Sequence, residues 1–151
     1  MIAYVESSAL ARLALRQSGY EQLRRNLKHM DQQVCHVIGY VELRSATARM
    51  IKRDRLTEPQ SVELLRSAEE VWAATTVQPI DDAQIARAAG LCERYQLRAY
   101  DALHLAAAEA LMRIVSSKHM RWFGFDEMQN RAAVAIGLRD GMVDWARTRS
   151  Y

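Results

Sequence analysis

The chain has 151 residues, half of them hydrophobic and 26% charged, which excludes a disordered chain and indicates one globular domain. No apolar run is long enough to span a membrane, and Cys35 and Cys92 match no zinc-binding spacing. The formal net charge of +3 permits a nucleic-acid partner but does not require one. The start, Met-Ile-Ala-Tyr-Val-Glu, lacks a basic leader and predicts a strand, so we expect a cytoplasmic protein with reduced, buried thiols.

Short apolar or β-branched runs predict four strands along the chain. They cover Ile2 to Val5, Val34 to Ile38, Thr75 to Val77 and Arg121 to Phe125. Amphipathic stretches with helical spacing separate these runs, beginning after Glu6 and near Gly19, Tyr40, Glu58, Asp82, Tyr100 and Asp126. Strands separated by helices favour an α/β fold in which a central, mostly parallel sheet is flanked by helices.

The helical spacing also predicts which side chains are buried. The helix from Asp82 is expected to bury Ile85, Ala88, Ala89 and Cys92. In the helix from Tyr100, the face that begins at Asp101 continues through Leu105, Ala108, Met112 and Val115. A carboxylate at the start of a buried face needs a cation or several hydrogen-bond donors to offset its desolvation. Asp101 is therefore a candidate functional acid.

Three further acids lie where a strand ends or a helix begins. Glu6 and Asp126 directly follow predicted strands, and Glu42 follows one a few residues later. In parallel sheets, ligand sites gather outside the carboxyl ends of the strands, so we expect these acids and Asp101 to converge. Oxygen ligands of this kind suit Mg²⁺ or Mn²⁺, and such a cluster suits phosphodiester hydrolysis.

Each acid also has a simpler structural interpretation. Asp101 and Asp126 could cap helix N-termini, and Glu42 could be a first-turn acid that favours the helix dipole. Glu6 is the hardest to explain in this way, because the Ser7-Ser8 pair that follows could cap the next helix unaided.

Histidine, basic and hydroxyl side chains near these acids offer further candidates. His104 could pair with Asp101 as a metal ligand, although we favour a core histidine satisfied by a hydrogen bond. Contacts to a nucleic-acid backbone are expected from Arg49, Lys52, Arg53 and Arg98. Their alternative interpretation is a solvated outer face or, for Arg98, a pair with a neighbouring acid. Ser8 is placed to hydrogen-bond a carboxylate or a phosphate.

Four sequence blocks together carry a family resemblance. In chain order they are MIAYVESSALARLAL, GYVELRSATARM, LRAYDALHLAAAEAL and FGFDEMQNRAAVAIGL. The blocks span nearly the whole chain, and YDALHLA is the most specific part of them. The chain thereby resembles the PIN domain, and specifically the VapC-type toxins of bacterial and archaeal toxin–antitoxin systems.

The resemblance implies a metal-dependent ribonuclease, usually an endonuclease, with a PIN-like three-layer sandwich fold. We place the PIN domain at residues 1–138 and a C-terminal appendage at residues 139–151. The implied Mg²⁺ or Mn²⁺ is held by Glu6, Glu42, Asp101 and, more loosely, Asp126. A cognate antitoxin that blocks the cleft, an RNA substrate and a homodimer are implied as well, and no membrane partner is expected.

Two positions depart from the family pattern. The first block usually carries Asp where this chain has Glu6, whose extra methylene carries the carboxylate further from the backbone. The last block usually carries Thr or Ser two residues before its Asp, and this chain has Gly124 there. These differences leave a second hypothesis open, in which the PIN domain has a weakened nuclease site and binds an antitoxin or a nucleic acid.

Overall fold

The computed structural model describes residues 1–143, in which strands and helices alternate. The strands are β1 (Ile2–Val5), β2 (Gln32–His36), β3 (Thr76–Gln78) and β4 (Met120–Phe123). The helices are α1 (Ser7–Leu15), α2 (Tyr20–Leu27), α3 (Ile38–Arg53), α4 (Glu58–Ala73), α5 (Asp82–Tyr95), α6 (Ala99–Val115) and α7 (Glu127–Ala135), with a 3₁₀ helix at Ser117–His119. The four predicted strands are all present.

The strands form one sheet in the order β3–β2–β1–β4, and every pair is parallel. The chain moves outward from β1 through β2 to β3 and then returns to the other side of β1 for β4, so the order reverses beside β1. The Glu6 N–H continues this pairing by donating to the Phe123 carbonyl oxygen at 2.9 Å. In open parallel sheets, ligands bind in the crevice that such a reversal leaves at the carboxyl ends of the strands.

Two hydrophobic cores pack against opposite faces of the sheet. Side chains alternate between the faces, so Tyr4 and Trp122 enter one core while Val5 and Phe123 enter the other. Helices α5, α6 and α7 complete the first core, and α1, α2, α3 and α4 complete the second. The predicted α/β fold, a parallel sheet between two helical layers, is confirmed.

Several boundaries and one helix face differ from the predictions. The strand expected at Arg121 to Phe125 spans Met120–Phe123, so Asp126 follows it by three residues. The strand expected at Val34 to Ile38 ends at His36, because the helix expected from Tyr40 already begins at Ile38. The face predicted for α5 is wrong at two positions, since Ile85 and Ala89 are exposed. The residues buried there are Gln84, Ala88 and Leu91. Alanines on both sides of α5 make its apolar face ambiguous. The buried face also contains the polar Gln84, so it does not stand out as hydrophobic in the sequence. Both cysteines are free thiols, and Cys92 is half-buried rather than buried.

The residues after α7 run along the outer edge of β4. The Trp122 N–H donates to the Arg139 carbonyl oxygen at 2.8 Å, and the Gly141 N–H donates to the Trp122 carbonyl oxygen at 2.7 Å. The predicted appendage begins in this stretch, and its residues 144–151 lie outside the described part of the chain. The domain boundary at residue 138 stays a prediction. Within residues 1–143, none of the helices has the length and hydropathy needed to cross a membrane.

Candidate active site

Four acids line one cleft at the carboxyl ends of the strands. Glu6 follows β1, Glu42 lies in the second turn of α3, Asp101 lies in the first turn of α6, and Asp126 directly precedes α7. The cleft they line has a volume of about 400 Å³. The structure therefore brings together the four acids that the sequence singled out, across about 120 residues of chain.

Glu6 is a buried carboxylate held by the first turn of α1. It is 2% exposed, and its Oε2 accepts hydrogen bonds from the Ser8 N–H at 2.8 Å and the Ser8 hydroxyl at 2.5 Å. The Ser7 hydroxyl donates to Oε1. The expectation that the serines would cap α1 is wrong, because Glu6 is the N-cap and both serines donate to it. Three donors thus fix the Glu6 carboxylate in the cleft.

Ser8 joins the loop after β1 to the loop after β4. Its hydroxyl oxygen accepts a hydrogen bond from the Phe125 N–H at 2.9 Å while the hydroxyl donates to Glu6. Asp126 is the next residue after Phe125, so one hydroxyl group ties together the backbone segments that carry two of the four acids. Of the two partners expected for Ser8, the structure shows the carboxylate.

Asp101 is a half-buried carboxylate that forms no salt bridge within residues 1–143. The alternative interpretation of Asp101 as a helix cap is wrong, because Arg98 occupies the N-cap position of α6 and Asp101 makes no capping hydrogen bond. Burial, together with the charges of Glu6, Asp126 and Glu42, raises the pKa of Asp101 to about 6 against a smaller opposing effect of Arg98. Among the described residues no Lys or Arg forms a salt bridge with these four acids. A divalent cation fits this set of carboxylate oxygen donors.

Glu42 and Asp126 are held in different ways. Helix α3 has no acid in its first turn, so the first-turn interpretation of Glu42 is wrong. Its Oε2 lies 2.6 Å from His104 Nε2. The capping interpretation of Asp126 is confirmed, because its Oδ1 accepts a hydrogen bond from the Gln129 N–H at 2.8 Å. Asp126 nevertheless lines the cleft as well, so capping and facing the other acids are compatible here.

His104 is a core histidine with two partners. It is fully buried, with Nε2 beside Glu42 and Nδ1 at 3.2 Å from the Tyr4 hydroxyl oxygen. The favoured interpretation, a histidine satisfied by hydrogen bonding, is confirmed. Ligand atoms from Glu6, Glu42 and His104 also lie within 4.8 Å of one another. Sequence reasoning missed the link between His104 and Glu42, because 62 residues separate them and only tertiary packing brings them together.

Gly124 leaves room for a hydrogen-bonded pair beneath the β4–α7 loop. Trp122 Nε1 donates to Asn130 Oδ1 at 2.7 Å, and Asn130 Nδ2 donates to the Gly124 carbonyl oxygen at 3.0 Å. A Cβ at Gly124 would lie 2.8 Å from Trp122 Nε1 and 2.9 Å from Asn130 Oδ1. The Thr or Ser of the family pattern is therefore sterically incompatible with this pair. In this chain the Asn130 side chain, rather than a hydroxyl at position 124, holds the loop.

Two of the four predicted cationic side chains reach the cleft. Arg49 and Arg98 line it, whereas Lys52 and Arg53 lie further along α3 and do not. Arg53 is bound to the neighbouring Asp54 by two hydrogen bonds, at 2.6 and 2.9 Å. The basic side expected on α3 is thus divided between the cleft and the outer surface.

Exposed apolar side chains form part of the cleft rim. Val41 is 65% exposed and Tyr100 is 56% exposed, and both line the cleft. Sequence reasoning missed both, although an aromatic residue beside a candidate functional acid is a signal that could have identified Tyr100. The cleft therefore combines acids, two arginines and an accessible aromatic ring.

Comparisons with known proteins agree with the resemblance carried by the four sequence blocks. The PIN domain family model matches residues 3–133, a range that contains all four acids. Two curated relatives are each 30% identical over 112 residues, which is 73% of this chain and 76% of theirs. They are Ribonuclease VapC45 of Mycobacterium tuberculosis (strain CDC 1551 / Oshkosh) and Ribonuclease VapC49 of Mycobacterium tuberculosis (strain ATCC 25618 / H37Rv).

Proposed function

The chain belongs to the PIN domain family, among its VapC-type toxins, and from this premise we propose that it is a Mg²⁺- or Mn²⁺-dependent endoribonuclease. Its substrate is RNA, and its reaction is the hydrolysis of phosphodiester bonds. The observation that carries the proposal is the cleft in which Glu6, Glu42, Asp101 and Asp126 meet, with no Lys or Arg among the described residues paired to them.

In this proposal the acids divide the work of holding the ion. Glu6, Glu42 and Asp101 hold it directly, and Asp126, whose Oδ1 already caps α7, assists through water. A bound divalent ion supplies a water of lowered pKa and neutralises charge on the scissile phosphate. Ser8 keeps Glu6 and the Asp126 loop in register, so the two acids approach the substrate from fixed directions.

The cleft rim binds the RNA strand. Arg49 and Arg98 attract the phosphates that flank the scissile bond, and Lys52 and Arg53 extend this attraction along α3. The exposed ring of Tyr100 offers a face on which an unpaired base can stack. Sequence-tolerant contacts of these kinds favour a single-stranded segment of RNA as the substrate.

A cognate antitoxin neutralises the enzyme in this proposal by covering the cleft. The protein acts as a homodimer in the cytoplasm, where its RNA substrate is made. Co-purification with an antitoxin protein, followed by loss of RNA cleavage when that partner is added back, tests the neutralisation.

RNA cleavage with Mg²⁺ or Mn²⁺ tests the central proposal. The wild type is compared with Asp101→Asn and Glu6→Gln, and with Glu93→Gln, which removes an exposed acid outside the cleft. We expect both cleft variants to lose cleavage, EDTA to abolish it, and the Glu93 variant to cut like the wild type. A wild type that cuts RNA no better than Asp101→Asn contradicts the enzyme proposal.

One observation favours a second candidate, a PIN domain with a weakened nuclease site that binds its partner without efficient cleavage. Glu6, which stands where the family usually has Asp, is engaged as the N-cap of α1. Glu6→Asp keeps a good capping residue and shortens the side chain by one methylene. Increased RNA cleavage by this variant supports the weakened site, and decreased cleavage supports a site adapted to Glu.

A further inference from the structure

We propose that His104 is a positioning residue that holds Glu42 through a buried hydrogen-bonded chain, Tyr4–His104–Glu42, and that His104 is not itself a metal ligand. This inference rests on the proposed function, because the position of Glu42 matters for an ion held in the cleft. The chain of hydrogen bonds itself is a property of the protein that can be measured without catalysis.

The chain runs from the core of the sheet to the cleft. Tyr4 is fully buried in β1, where its ring stacks on Trp122 with centroids 5.4 Å apart. His104 is fully buried in α6, 3.2 Å from the Tyr4 hydroxyl oxygen. Only Glu42, whose side chain is 20% exposed, reaches solvent. Two rigid, buried rings therefore determine where one oxygen of an otherwise flexible glutamate lies.

The Tyr4 hydroxyl determines which ring nitrogen of His104 carries the proton. The Tyr4 hydroxyl lies 3.2 Å from His104 Nδ1, and because a tyrosine hydroxyl carries its proton at neutral pH it can donate to that nitrogen. With Nδ1 as the acceptor, the imidazole proton lies on Nε2, where it donates to Glu42 Oε2 at 2.6 Å. Both nitrogens are then occupied, and neither has a free lone pair for a metal.

The hydrogen bonds distinguish a positioning residue from a metal ligand, which the distances between these side chains alone do not. The ligand atoms of Glu6, Glu42 and His104 are close enough to surround one ion. However, Glu42 Oε2 accepts from His104 in the same way that the Glu6 carboxylate accepts from Ser7 and Ser8. Each of the two glutamates is thus oriented by neighbouring donors, as carboxylate ligands of metals commonly are.

The protonation of the His104 ring gives the direct test. We would record ring ¹⁵N spectra of the full-length protein, with and without Mg²⁺, and assign them with the His104→Gln variant. We expect the Nε2–H tautomer in both conditions. Loss of the Nε2 proton when Mg²⁺ is added would show a metal ligand and overturn the proposal, and so would an Nδ1–H tautomer without Mg²⁺.

Mn²⁺ affinity, measured by calorimetry, provides the second readout. His104→Leu removes the donor and should weaken Mn²⁺ binding about 10- to 100-fold. His104→Gln keeps an N–H near the Nε2 position and should retain most of the affinity, while Tyr4→Phe should shift the tautomer and weaken binding less than His104→Leu. Equal losses in the Gln and Leu variants, or no loss in the Leu variant, would overturn the positioning role.

These outcomes distinguish the inference from the function on which it rests. A wild type that binds no Mn²⁺ contradicts the proposed metal-dependent nuclease. The ¹⁵N spectra still determine in that case whether Tyr4 fixes the His104 tautomer and whether Glu42 accepts the Nε2 proton.

Discussion

Replacing Asp101 with Asn should make the metal-free protein more stable while it abolishes RNA cleavage. The Asp101 carboxylate is half-buried and faces three other acids, so its charged form is destabilised in the folded state. Because the pKa in the folded protein is raised, the folded state holds the proton more tightly than the unfolded chain. The cost of ionisation is therefore absent below pH 3.8 and is fully present above about pH 6.

The size of this effect follows from the pKa. A value of about 6 against an ordinary 3.8 corresponds to at most about 3 kcal/mol of unfolding free energy. Since the carboxylate is partly exposed and salt screens its neighbours, we expect about 1–2 kcal/mol at pH 7.5. In a chain of this size, each kcal/mol raises Tm by about 2–4 °C.

Urea and thermal unfolding in EDTA at pH 7.5 measure the difference, with Glu93→Gln as the control for loss of an exposed acid. Saturating Mn²⁺ should reduce the difference in unfolding free energy between the two proteins, because the ion stabilises the wild type more than the variant. An Asp101→Asn protein that is less stable than the wild type in EDTA would refute the argument that the cleft stores uncompensated negative charge.

The same variant should also become sensitive to acid. Burial lowers the pKa of His36 from 6.5 to about 4, so His36 stabilises the fold above pH 6.5 and this contribution is lost as the pH falls toward 4. Asp101 acts in the opposite direction over nearly the same range, so the two contributions partly cancel in the wild type. Stability that declines more steeply from pH 6.5 to 4 in Asp101→Asn than in the wild type is the expected result, and parallel profiles would contradict it.

Three other variants test single features of the cleft. Gly124→Ser should lower the free energy of unfolding by about 1–3 kcal/mol, because the new side chain displaces the Trp122–Asn130 pair beneath it. Gly90→Ala, on α5, has open space at its Cβ and should raise the free energy of unfolding by about 0.5–1 kcal/mol. Urea unfolding of both variants measures the difference. Ser8→Ala should lower the free energy of unfolding by about 1–3 kcal/mol, because it leaves the Phe125 N–H of the β4–α7 loop unpaired. Ser7→Ala loses only one hydrogen bond to the Glu6 carboxylate and should lower it less. Equal losses in the two variants would contradict the bridging role of Ser8. Tyr100→Ala should weaken RNA binding by about 1–3 kcal/mol while Tyr100→Phe keeps it, and fluorescence anisotropy with a short labelled RNA measures both.

The sequence predicted the location of the cleft because ligand sites in parallel sheets gather, as a general rule, at the carboxyl ends of the strands. Apolar or β-branched runs marked the four strands, and acids near the carboxyl ends of β1 and β4 were expected to converge in a parallel sheet. The structure adds that β1 and β4 are neighbours. Asp101 and Glu42 could be added because each lies near the start of a helix that packs on the same sheet. These inferences needed only local patterns and the known geometry of α/β folds.

Side-chain partners could not be predicted in the same way. The bond between His104 and Glu42 depends on the relative placement of α6 and α3, which no local pattern encodes. The capping role of Glu6 was missed because serine is ordinarily the better N-cap, and here both serines serve the carboxylate instead. The buried face of α5 was predicted wrongly because one of its buried residues, Gln84, is polar and gives no hydrophobic signal.

The segment after α7 has a consequence for how the sheet meets its surroundings. An outer strand normally presents unpaired N–H and C=O groups that can recruit a strand from another molecule. In β4 the backbone N–H and carbonyl oxygen of Trp122 are already bonded to Arg139 and Gly141, so this side is closed to such recruitment at its centre. A chain cut after Leu138 would lose both partners and should self-associate through the newly opened strand. Residues just beyond the predicted domain boundary thus cover the centre of this edge of the sheet.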